Sequence, residues 1–165
     1  MEKISAEIVR ETWQALDEVD ADCATEMANG MGKQQPVVLA YLMTATENYS
    51  MNQDESELLI FLGLSIWKMM TRAEGPLPSV TPARLDEIEE NNLKMLEYLA
   101  GESDEDFITT VEMIIDNYPQ SEILRYVVDE LMLNNQVPVS DENKGHMLIS
   151  LKTAIDCLNY VRDSA

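Results

Sequence analysis

The chain has 165 residues, 45% of them apolar and 25% charged, a balance that points to a folded globular protein rather than a disordered or fibrous one. Its charge is less ordinary, because 31 acidic against 11 basic side chains leave a net −20 at neutral pH. Such a surface repels phosphate backbones and anionic lipid, which counts against nucleic-acid and membrane partners and favours a basic protein surface, a polyamine or a divalent cation.

A chain of this length can bury roughly 70% of its unfolded surface, so it needs no disulfide or metal staple. Cys23 and Cys157 stand far apart with no Cys-x-x-Cys pair and no neighbouring histidine, the usage of reduced, mostly buried thiols. Met1-Glu2-Lys3-Ile4 lacks the basic and apolar regions of a secretory signal. The longest apolar stretch runs only from Leu58 to Trp67, about half of the roughly 20 residues that a membrane helix requires. The expectation is a cytoplasmic protein with a single domain over 1–165.

Helix signals then recur along the chain and strand signals are nearly absent. Ile8, Trp13, Leu16, Val19, Cys23 and Met27 fall close to one helical stripe, with Ser5 as its cap and Gly30 and Gly32 as terminators. This predicts one long helix over about residues 5–30. Pro36 suits a first helical turn, and Val37 to Met43 is apolar nearly all round, predicting a short buried helix. Asn52 or Asp54 opens a third helix that continues through Leu58–Trp67 to Met69 and Met70. A helix apolar on every side belongs in the middle of a bundle, and Gly63 within it implies a close crossing by a neighbour.

Gly75-Pro76-Leu77-Pro78-Ser79-Val80 is the clearest loop. Thr81 caps and Pro82 starts the next helix, which runs to Ala100 with Leu85, Ile88, Met95, Leu96 and Leu99 inside. Ser103 caps a helix with Phe107, Ile108, Val111, Ile114, Ile115 and Tyr118 inside. Pro119 begins another, which ends at Asn134-Asn135, and Ser140 caps the last. The fold class expected is therefore all-α. It would be a compact bundle of about seven helices with mostly antiparallel neighbours, the alternative being a short stack of helical hairpins. No internal period is present. Wide apolar faces on a modest chain also suggest a homodimer.

No constellation carries catalysis. A di-iron bundle needs two Glu-x-x-His pairs, yet His146 is the only histidine and Glu142 stands four residues before it. A lone histidine there reads as an exposed polar residue. Asp20-x-Asp22 starts like a calcium loop but Cys23-Ala24-Thr25 ends the pattern. No Gly-rich phosphate loop, nucleophile elbow or Cys–His pair is found. No catalytic residue and no cofactor is expected.

Two function classes remain. The first is a non-enzymatic, acidic helical interaction module (an adaptor, chaperone or inhibitor) that binds a basic or apolar protein surface. Its acidic strip would combine Asp86, Glu87, Glu89 and Glu90 with Glu102, Asp104, Glu105 and Asp106, beside a methionine-lined apolar patch drawn from Met27-Met31, Met43-Met51 and Met69-Met70. The second is a metal-dependent all-α hydrolase of nucleotide-type substrates. There Glu87 and Glu90 on one helix would share a magnesium ion with Glu112 and Asp116 on the next, although a charge run on an amphipathic helix is usually a solvated face.

Overall fold

Side-chain caps divide the chain into helices. The computed structural model describes residues 2–101, 103–133 and 136–164. Glu102, Asn134, Asn135 and the side chains of Ala100, Asp104 and Phe107 lie outside the described residues. The expectations placed on Glu102, on the Asp104 and Phe107 side chains and on the Asn134-Asn135 helix end therefore fall there too. Eight helices stand among the described residues and no strand does. They are α1 (Ala6–Asp17), α2 (Ala21–Gln34), α3 (Pro36–Asn48), α4 (Gln53–Glu74), α5 (Pro82–Ala100), α6 (Asp104–Asn117), α7 (Ser121–Met132) and α8 (Asp141–Asp163).

The expected caps close on the backbone where the sequence puts them. Ser5 accepts from Ile8 N at 3.2 Å, Thr81 from Arg84 N at 3.3 Å and Ser140 from Asn143 N at 3.2 Å. Asn52 and Glu55 form a complete capping box, each side chain bonded to the other's backbone N–H. Each such cap contributes about 1 kcal/mol by satisfying an otherwise orphaned donor.

The single helix expected over 5–30 is instead two. Asp20 turns extended and its carboxylate accepts from Cys23 N at 2.9 Å, which starts α2 afresh after the break at Glu18-Val19. The apolar stripe continues in phase across that break, so periodicity alone does not reveal it. Gly30 and Gly32 do not terminate a helix, because α2 passes through both to Gln34. At Gly30 a Cβ would lie 3.2 Å from the Trp67 ring, so the glycine admits that ring against α2.

Helices α4 and α8 form the centre. Helix α4 packs on α1, α2, α3, α7 and α8, and α8 on α3, α4, α5 and α7. Leu59, Leu62, Ile66, Met69 and Met70 of α4 and Met147, Leu151, Ile155 and Leu158 of α8 are fully buried. The close crossing expected at Gly63 is made by α3, whose Leu42 Cδ1 lies 2.4 Å from where a Cβ would stand. No helix is long and apolar enough to cross a membrane among the described residues.

Three buried polar side chains fasten the ends of the bundle. Gln35 donates to Pro78 O at 2.8 Å and accepts from Val80 N at 3.0 Å, pinning the Gly75–Val80 loop under the start of α3. Gln120 accepts from Ile4 N at 2.9 Å and donates to Asn159 Oδ1 at 3.0 Å, tying the N-terminal segment to α8. Helix α7 begins at Ser121 rather than at Pro119, because Gln120 takes a non-helical backbone (φ −109°, ψ 56°) and makes no side-chain cap. Glu55, 3% exposed, accepts from Ser140 N at 3.1 Å and Asn143 Nδ2 at 3.1 Å, joining the N-termini of α4 and α8.

Candidate functional site

The expected methionine patch does not assemble. Met31, Met69 and Met70 are fully buried and Met27 and Met51 half-buried, leaving Met43 as the exposed member of the three clusters. Flexible thioethers fill irregular gaps in the core here. Ile108, expected inside, is 59% exposed, since α6 packs chiefly on α5 and α7 among the described residues and leaves this face to solvent.

The acidic residues of α5 divide by their angle around the helix. Asp86, Glu87 and Glu90 are exposed, as are Glu105 and Asp106 at the start of α6. Glu89 is half-buried instead, and its charge helps to raise the hydroxyl pKa values of Tyr41 on α3 and of Tyr49 just beyond its end, each shift arising first from burial. Glu87 accepts from Arg84 at 2.8 Å, and Glu90 faces Lys94 at 3.6 Å. Asp116 faces Arg125 at 3.4 Å, while Glu112 is exposed. The four acids of the hydrolase reading are thus not brought together. No group of three metal-ligating side chains converges among the described residues.

A buried polar network joins α5, α8 and Tyr118, the residue that caps the C-terminal end of α6. Asn92, 5% exposed, donates to Thr153 and Asp156 at 3.0 Å each and accepts from Lys152 Nζ at 2.8 Å. Lys152 also donates to Asp156 at 2.8 Å, and the Tyr118 hydroxyl donates to the second oxygen of that carboxylate. Burial and the adjacent Asp156 charge hold the Tyr118 hydroxyl well above its ordinary pKa, and burial pushes the Cys157 thiol up to about 12. These groups satisfy one another in place. The adjoining cavity, between Leu99, Val111, Ile115 and the Lys152 stem, holds about 10 Å³ and cannot admit a substrate. The network fixes how α5 and the C-terminal end of α6 seat on α8.

His146 was expected to be exposed. Its ring instead stacks on Tyr49 at 3.9 Å between centroids with the planes 10° apart, and its Nδ1 is buried. The contact joins α8 to the C-terminal end of α3 and gives the histidine a packing role.

The surface feature with the geometry of a binding site lies elsewhere. An open cleft of about 450 Å³ runs between α1, α4 and α7 and is lined also by Gln136 and Val137. Its floor is apolar and half-buried, formed by Trp13 of α1, Leu58 and Phe61 of α4, and Val137. Its walls carry Asp17 from the last turn of α1, Asp54 and Glu57 from the first turns of α4, and Glu130 of α7. No lysine or arginine lines it.

The charges there differ from those on α5. Among the described residues Asp17, Asp54 and Glu57 enter no ion pair, and Glu57 has only a neutral bond from Gln53 at 3.0 Å. The like charges of Asp17, Asp54 and Glu57 thus line the cleft beside an apolar floor with no ion-pair partner among the described residues, an arrangement that a bound cation would relieve. The cleft was missed at the sequence level because its lining comes from four separated segments. No family model matches the chain, and no curated protein or solved structure matches it.

Proposed function

We propose that the chain is a non-enzymatic helical interaction module (an adaptor, chaperone or inhibitor) that binds a basic, partly apolar protein surface. The observation that carries this reading is the cleft, whose apolar floor of Trp13, Leu58 and Phe61 is bordered by carboxylates with no lysine or arginine among them. Its volume is that of an ordinary binding site, within the usual range of about 300–1,000 Å³. Apolar contacts on the floor would set residence time, and the acidic walls would speed encounter. The exposed Asp86, Glu87 and Glu90 extend the negative field over α5. The net −20 disfavours nucleic acid as the partner. A cytoplasmic setting fits two free thiols, Cys23 exposed and Cys157 buried.

Affinity capture with the wild-type chain and with an Asp17→Lys/Glu57→Lys variant tests this. Both residues are exposed, so each substitution is expected to alter stability by no more than about 0.5 kcal/mol. A lysine at the end of α1 also complements the helix dipole. A basic protein retained by the wild type and released from the variant supports the proposal; an identical retained set contradicts it. For a partner so identified, association should slow between 0.01 and 0.15 M salt as the Debye length falls from about 30 to about 8 Å. Glu87→Lys/Glu90→Lys should reduce the on-rate by a smaller factor than the cleft reversal, since Arg84 and Lys94 already offset those two charges. Surface plasmon resonance at both salt concentrations measures these rates.

A further inference from the structure

Resting on the reading above, we propose that the cleft takes one basic amphipathic helix of about three turns, seated in the groove between α1 and α4. The lining positions on α4 are Asp54, Glu57, Leu58 and Phe61, a single stripe over two helical turns, or about 10 Å of axis. Trp13 and Asp17 stand one turn apart on α1, which packs against α4. Two packed helices presenting rows of side chains form a groove that a third helix fills by interdigitation. The described residues hold no strand, so an extended peptide would find no sheet edge to join.

The chemistry of the occupant follows from the lining. Half-buried Trp13, Leu58, Phe61 and Val137 call for leucine, isoleucine, phenylalanine or methionine at helical spacing on the docked face. Carboxylates from both helices that line the cleft, Asp17 on α1 and Asp54 and Glu57 on α4, call for lysine or arginine flanking the same face. A second copy of this chain would bring another −20 to an acidic cleft and is disfavoured. A free polyamine would satisfy the walls but leave the aromatic floor wet, so it should bind more weakly than the helix.

The full chain and a synthetic peptide of about 15 residues provide the test, the peptide being leucine and lysine in an amphipathic helical pattern. Three comparison ligands separate the alternatives: the same composition scrambled so that no apolar face forms, the patterned peptide with glutamate for lysine, and spermidine. Trp13 emission reports occupancy directly, because Trp13 lines the cleft while Trp67 is 4% exposed in the core. Calorimetry gives the affinities. The patterned peptide should bind about tenfold or more tightly than the scrambled one, and the glutamate peptide should not bind. Asp17→Lys/Glu57→Lys should weaken the patterned peptide by about tenfold or more, and Phe61→Ala should weaken it with the helical circular dichroism unchanged.

Binding of the scrambled peptide within about twofold would overturn the proposal in favour of diffuse charge attraction. Displacement of the peptide by equimolar spermidine would overturn it in favour of a small polycation. Unaltered affinity in the double reversal would place binding outside the cleft, and this variant keeps the test decisive should Phe61→Ala lose its fold. If the patterned peptide fails while a captured basic protein is still released by the double reversal, the helical occupant falls and the interaction-module reading stands.

Discussion

Gly63→Leu is expected to destabilise the fold by about 3 kcal/mol, at the upper end of ordinary overpacking costs. The Cβ alone would stand 2.4 Å from Leu42 Cδ1, and Leu42 is itself fully buried among core side chains, so moving it aside disturbs the packing around it. The gain in helix propensity, at most about 1 kcal/mol, is too small to compensate. Pairing the substitution with Leu42→Ala should recover part of the loss. Leu42→Ala alone costs about 2–5 kcal/mol by opening a cavity, and the new leucine would fill some of it. A double-mutant cycle by denaturant unfolding should therefore give a coupling of about 1–3 kcal/mol in the favourable direction. Additive effects would show that α3 and α4 do not meet at this point.

Glu55→Ala is expected to cost a similar amount, about 3 kcal/mol, by a different route. The carboxylate accepts from Asn52 N, Ser140 N and Asn143 Nδ2, and its loss leaves those donors short of an acceptor beneath two helix starts. For a chain of this size the melting temperature should fall by about 6–12 °C. The pH dependence has a definite sign. Burial alone would raise the Glu55 pKa, but the hydrogen bonds from Asn52, Ser140 and Asn143 outweigh it and hold the group below its ordinary value. Because the folded value is depressed, the stabilisation is present above the unfolded pKa of about 4.3 and is lost as pH falls through the folded value. Unfolding midpoints measured from pH 6 down to pH 3 should converge for wild type and Glu55→Gln at the acid end. Parallel curves would assign acid sensitivity to other carboxylates.

Most of the helical architecture was legible in local chemistry. Ser5, Asn52 with Glu55, Thr81 before Pro82, Ser103 and Ser140 mark helix starts because their side chains bond backbone within three residues, a relation visible in any window of sequence. The failures share a non-local or degenerate cause. Asp20 is one carboxylate among Asp17, Glu18 and Asp22, so its capping role does not stand out from an ordinary acidic face. Gly30 resembles a helix terminator, and only the approach of Trp67 from α4 explains its place inside α2. Glu89 follows the polar pattern of α5 yet turns far enough towards α3 to sit half-buried near Tyr41 and Tyr49.

The cleft was illegible for a related reason. Trp13, Leu58 and Phe61 are apolar residues at helical spacing, and such residues are normally core. A signal was nevertheless present in α4, where apolar residues surround the whole circumference of the helix from Leu58 to Trp67. Neighbouring helices cover Leu59, Leu62 and Ile66 completely but leave Leu58 and Phe61 only half-buried. Surplus apolar circumference on a central helix, next to Asp54 and Glu57, which enter no ion pair among the described residues, is the pattern that marks the site.

Hydrogen–deuterium exchange of the full chain with and without a captured basic protein locates the face that binds it. Protection on binding should appear in the last two turns of α1, through Trp13 and Asp17, and in the first two turns of α4, from Asp54 to Phe61. Protection confined to α5 and α6, with α1 and α4 exchanging as in the free chain, would contradict the cleft as that face.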